Sequence, residues 1–158
     1  MVEAEIVYAR GHPRIKATHV TTLEISREEY LTERGDCIIG IGADRSPKDF
    51  SRVFKEALRR DDSILLAVIR VGGLVDIVLA QGSSGLIVDS PVKLIIRRSS
   101  FIEPATIGIK ANKAARDIDR RIIQMLRDPG TVLELRLYVL GLDEVESIYA
   151  GSRGILQD

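Results

Sequence analysis

Alternation of apolar and polar positions is the first regularity along the chain. Val2, Ala4, Ile6 and Tyr8 fall on one side of an extended segment, Glu3, Glu5 and Val7 on the other, which predicts a strand over residues 2–9. "RGHP", Arg10–Pro13, then turns the chain, since Gly11 tolerates any φ and Pro13 removes a donor. From Arg14 to Ser26 the odd positions Ile15, Ala17, His19, Thr21, Leu23 and Ile25 oppose Arg14, Lys16, Thr18, Thr22 and Glu24. A long strand is predicted there, with His19 and Thr21 on its apolar side. After a turn at Arg34–Gly35, residues 36–43 are apolar on both faces, as in a central strand.

The period then changes. Ser46-Pro47-Lys48-Asp49 has the order of a capping box with proline at the first helical position. Phe50, Val53, Phe54, Ala57 and Leu58 follow at i, i+3, i+4, i+7 and i+8, the stripe of an amphipathic helix ending at Arg59–Arg60. "DSILLAVIRV" and "LVDIVLA" flank Gly72–Gly73 as a tight hairpin. The loop "QGSSG", short strands "LIVD" and "VKLIIR", and the strand "ATIGIKA" come next. A second helix spans about Asn112 to Arg127, stopped by Pro129–Gly130. "TVLELRLYV" alternates as a half-buried strand.

Displacing the chain by 68 residues aligns Ile39–Gly73 with Ile107–Gly141 without gaps, and 11 of the 35 positions are identical. This predicts an internal duplication. With small gaps "AQGSSGLI" (Ala80–Ile87) pairs with "AGSRGIL" (Ala150–Leu156), so the C-terminal segment is expected to repeat a strand and loop. The expected fold is α+β: one domain over 1–158, made of two ββαββ units (about 14–90 and 91–158) that form a barrel-like mixed sheet with two outer helices and pseudo-twofold symmetry.

Composition narrows the classes. Lys plus Arg and Asp plus Glu number 23 each, so no global field draws the chain to nucleic acid or an anionic membrane. No run approaches a membrane span, nothing resembles a signal peptide, and the single Cys37 excludes an intrachain disulfide; a cytoplasmic setting is expected. One Asn and three Gln beside many charges is a composition seen in thermophiles. Aromatics make up 4% with no Trp, which leaves little to build base-stacking platforms from. Nucleic acid is therefore not the favoured partner, whereas assembly of identical chains through sheet edges is compatible with the pattern.

Candidate chemistry gathers in two places. His12 and His19, the only histidines, stand beside Thr18, Thr21 and Glu24 and are candidates for acid/base or ligand contact. Their spacing matches no HxH, HxxxH or CxxC pattern, so no metal is expected and no cofactor is implied. The second place is the start of each helix, where Arg45 in one unit and Lys110, Asn112, Lys113 and Arg116 in the other could hold an anion. The "GSSG" and "GSRG" loops, with Ser83 and Ser152, could add backbone nests. The expected function is binding of a small anionic metabolite or nucleotide between the units, with an interaction module for RNA or protein as the alternative.

The order strand, Arg-Gly-Asp turn, strand, helix, strand resembles the half-unit of cradle-loop barrels, although Glu103–Pro104 replaces Gly35–Asp36 in the second unit. "GHPRIKATHVTTLEIS", "LTERGDCIIGIGAD" and "FIEPATIGIKANKAARDID" together resemble the archaeal domain-of-unknown-function 371 family across essentially the whole chain. The resemblance implies a relative and brings no catalytic role to any residue.

Overall fold

Every second side chain along β4 (Ser63–Val71) and β8 (Val132–Gly141) is buried in the computed structural model, which describes the backbone of residues 2–157 and the side chains of 2–151. These two strands pair antiparallel at the centre of a sheet whose edges are β1 (Glu5–Arg10) on β8 and β5 (Leu74–Gln81) on β4. A second sheet has the order β3-β2-β6-β7. In it β2 (Thr22–Ser26) and β6 (Lys93–Arg97) run antiparallel, and β3 (Ile38–Gly40) and β7 (Thr106–Gly108) lie parallel outside them. The inner faces meet in one apolar core that includes Val7, Leu23, Ile25, Phe54, Leu65, Ile69, Ile96, Ile122, Leu135 and Leu137.

The two sheets do not close into the expected barrel. Each edge is joined to the other sheet by a single bridge, Arg10 to Ile41 and Gln81 to Ile109. The outer strands β3 and β7 are only three residues long, and the chain leaves each through a residue at positive φ, Gly42 (59°) or Lys110 (51°). That left-handed step carries the backbone away before a ladder can form.

The helices are shorter than the stripes predicted. Pro47–Asp49 is a single 3-10 turn, and α1 (Arg52–Leu58) begins after a break. Asp49 accepts from the Ser46 N–H at 2.9 Å and closes the first turn, whereas the Ser51 hydroxyl caps α1 by accepting from the Phe54 N–H at 3.1 Å. Ala115–Asp117 and α2 (Arg120–Met125) repeat the arrangement, with Asp119 as cap.

Two predicted strands are largely loop. Residues 14–20 are irregular because Ala17 takes a φ of 49°, and residues 86–89 are irregular around Val88 at 55°. The C-terminal segment is a third helix, α3 (Leu142–Gln157), instead of a strand and loop. The strand that stands beside β8 as β5 stands beside β4 is the N-terminal β1.

Candidate functional site

The loop joining β1 to β2 is held by close backbone packing. Gly11 donates to the Thr131 carbonyl at 3.0 Å and His12 to the Leu126 carbonyl at 2.8 Å. A Cβ on Gly11 would lie 2.3 Å from two carbonyl oxygens, of Leu126 and Asp128, so only glycine fits. His12 Nδ1 accepts from the Arg14 N–H at 3.0 Å. His19 Nδ1 accepts from the Thr21 and Thr22 N–H groups at 3.2 and 3.0 Å and lies 3.3 Å from the Thr21 hydroxyl. A ring nitrogen that accepts backbone hydrogen bonds is unprotonated, which places the proton of each neutral imidazole on Nε2.

The loop between β5 and β6 has the same bonds made by serine. Ser83 Oγ accepts from Gly85 N–H at 3.2 Å, and Ser90 Oγ from Val92 and Lys93 N–H at 3.3 and 3.2 Å. By these contacts His12 stands where Ser83 stands and His19 where Ser90 does. His19 is half-buried and Thr21 exposed, so neither lies in the core as the alternation suggested.

A cleft of about 390 Å³ opens on the β1–β2 loop, lined by Pro13, Arg14, Ile15, Lys16, Glu33 and Arg127. Its size suits a small ligand. Arg127 Nε donates to the Ile15 carbonyl at 3.3 Å, and Arg120 clamps the next turn by donating to the Lys16 and Ala17 carbonyls at 3.0 Å each. At the other loop Arg59 Nε donates likewise to the Leu86 carbonyl at 3.0 Å, but Gly85 and Ile87 stand in place of Arg14 and Lys16. The cleft therefore gathers three cations around one acid, and among the described residues none of Arg14, Lys16 and Arg127 forms an ion pair.

The residues proposed at the helix starts are engaged elsewhere. Arg45 meets Glu5 at 2.6 Å and donates to the Ile6 and Asp49 carbonyls. Lys113 is bonded to Asp76, whose carboxylate also accepts from Asp119 N–H at 2.8 Å. Burial of Asp76 opposes its ionisation, but these bonds outweigh it and hold the carboxyl below its usual range. Asn112 Oδ1 accepts from Leu79 N–H, as Asp44 does from Tyr8 N–H, both at 2.9 Å. Lys110 and Arg116 are exposed, and Thr18 is exposed with its N–H on the Asp36 carbonyl. Lys110 and Asn112 line a separate cleft of about 230 Å³ with Ile64, Leu79, Ala80 and Gln81. Ser152 falls within α3, and its side chain lies outside the described residues.

Glu24 belongs to a third grouping, on the β2–β6 face turned away from the core. Thr22 lies opposite Arg97, Glu24 opposite Ile95 and Ser26 opposite Lys93. Burial raises the Glu24 carboxyl, against the lowering influence of Lys93. Cys37 Sγ lies 3.7 Å from it, and the thiol is itself pushed up to about 12 by burial, so it is no nucleophile at neutral pH. Arg97 reaches Glu103 at 3.4 Å, donates to the Thr22 hydroxyl at 3.1 Å and sits over the Phe101 ring. These charges answer one another, unlike those of the cleft. Among the described residues no group of three or more His, Cys, Asp or Glu is placed to hold a metal, and no helix is long and apolar enough to cross a membrane.

The family model described as "Domain of unknown function (DUF371)" matches residues 7–140. An uncharacterised protein of Methanocaldococcus jannaschii is 47% identical over 123 residues, covering 78% of this chain and 90% of that protein. The matched span begins in β1 and ends in β8, so it contains the cleft and leaves out α3.

Proposed function

The chain belongs to the DUF371 family, and we propose that it is a cytoplasmic protein that binds a small anion, phosphate-bearing or polycarboxylate, in the cleft of Arg14, Lys16 and Arg127. The observation that carries the reading is three cations around one concavity with a single lining acid, Glu33. Clustered like charges repel, and a bound anion removes that cost, most effectively where the walls exclude water. His12 precedes the cleft-lining Pro13, and its Nδ1, accepting from the Arg14 N–H, fixes the Arg14 backbone. His12 acts here as a positioning residue, because the nitrogen a base would use is already an acceptor.

The reading extends to architecture. The paired bonds of the two loops, the mirrored sheet orders and the sequence repeat support a duplicated, pseudo-twofold single domain. Its second unit is completed by β1, so the β1–β2 loop joins the two units and the cleft lies at their junction. Arg14 and Lys16 are charges that the other junction lacks, which is the reason to place the ligand at this one.

Thermal denaturation against inorganic phosphate, pyrophosphate, citrate and nucleotides tests the proposal. At least one ligand is expected to raise the wild-type midpoint and to lose at least tenfold in affinity, about 1.4 kcal/mol, in an Arg14→Ala/Lys16→Ala variant. If no ligand in the panel stabilises the wild type, or the variant responds equally, the cleft is not the site.

A further inference from the structure

Among the described residues, the outer face of the β1-β8-β4-β5 sheet leaves several apolar side chains open to solvent. Register places Leu66 beside Tyr138 and Leu79, Val68 beside Ile77 and Arg136, and Arg70 beside Val75 and Glu134 on this face. Val75, Ile77 and Leu79 are 49, 45 and 44% exposed, and Tyr8 on β1 is 44% exposed. A strand face turned to water ordinarily bears polar residues at such positions, and an exposed apolar run such as Val75, Ile77 and Leu79 marks an interaction site.

We propose that this face packs against the same face of a second copy of the chain, forming a symmetric sheet-on-sheet dimer. Charge placement selects the partner and the axis. Glu134 on β8 and Arg70 on β4 are direct cross-strand neighbours on the two central strands. A twofold axis running along the strands between β4 and β8 places β8 of one copy over β4 of the other. It brings Glu134 of each copy over Arg70 of its mate, Ile6 over Ile77 and Tyr8 over Val75. Of the three central charges, Arg70 and Glu134 are each answered within the chain and by the mate, Arg136 lies over Val68 of the mate and keeps its own Glu134 at 3.2 Å, and every outer strand meets an apolar counterpart. Isologous packing of this kind needs one self-complementary patch, and slightly rotated, face-to-face sheets are its usual geometry.

Area points the same way. A four-stranded face about eight residues long projects to roughly 500 Å², while a stable interface takes about 800 Å² of accessible surface from each partner. A narrow peptide or a single added strand would cover a fraction of the face. A second sheet of the same width covers it all, and the relief of the side chains raises the accessible area towards what a dimer requires.

Sedimentation equilibrium with circular dichroism as the folding control tests this. The wild type is expected to be a dimer, Ile77→Glu/Leu79→Glu a folded monomer, and Arg70→Glu or Glu134→Arg alone weakened at least tenfold in association. The double swap Arg70→Glu/Glu134→Arg is expected to recover the dimer, an outcome that loss of folding cannot imitate. A monomeric wild type, a dimer untouched by Ile77→Glu/Leu79→Glu, or a double swap as weak as the single ones would overturn the proposal.

Discussion

His19 shows how a residue that stands out in the sequence can have an ordinary physical task. Its Nδ1 takes two backbone N–H groups at the entry to β2, a local cap of the kind that serine also makes. Replacing it by alanine leaves those donors without their acceptor and is expected to cost about 1–2 kcal/mol. Replacement by serine, copying Ser90, should restore most of that. Urea unfolding of the two variants measures the difference, and equal losses would show that the ring does something a hydroxyl cannot.

Glu24 permits a prediction with a sign. Burial raises its carboxyl in the folded protein, so the folded state holds the proton more tightly than the unfolded chain does. The contribution to stability is full below the unfolded carboxyl value and is lost as pH rises through the folded value. Glu24→Gln removes the titration, so its stability advantage over the wild type should grow from acidic to neutral pH. An advantage that is constant with pH would contradict the burial of an ionising carboxyl at this position.

Among the elements, β1 and α3 contrast most sharply. β1 pairs with β8 over six residues and sends Val7 and Ala9 into the core, whereas α3 begins after the family match and leaves Leu142, Ile148 and Tyr149 exposed. A chain ending at Gly141 is therefore expected to unfold cooperatively and to lose less than about 1 kcal/mol, while removal of residues 2–10 should abolish the transition. Calorimetry distinguishes the two, and a truncated chain that no longer melts cooperatively would give α3 a part in the core.

The Gly72–Gly73 turn between two apolar runs marks β4 and β5, and alternation marks β8 and β1, although on β1 it sets Ile6 and Tyr8 on the apolar side where the strand buries Glu5, Val7 and Ala9. The period overextended the strands on either side of Ala17 and Val88, because positive φ at a non-glycine residue leaves no mark in a hydrophobic pattern. It also merged each 3-10 turn with the helix after it, since Phe50 and Ile118 keep the stripe continuous across the break. The gapped likeness to Ala80–Ile87 predicts a strand and loop where the chain forms α3. The tertiary partner of β8 could be recognised only from strand pairing.

At the scale of the whole molecule, the 68-residue offset in the sequence is compatible with the two matching sheet orders, and the loop that holds the histidines is also the one that opens on the cationic cleft. The histidines are matched by serines at the other loop. The unmatched residues are Arg14 and Lys16, which read in the sequence as the solvent side of a strand and are instead the wall of a cleft with Arg127, more than 100 residues away. That approach depends on the Leu126–His12 bond and on the space Gly11 leaves for it, neither of which any local pattern contains.

The most direct measurement is an amide NMR titration of the isotope-labelled protein with pyrophosphate. The cleft predicts saturable shifts centred on Arg14, Ile15, Lys16 and Arg127, with His12 responding through its bond to Arg14 and Lys110–Arg116 unmoved. Shifts confined to Lys110–Arg116, or none that saturate, would contradict it.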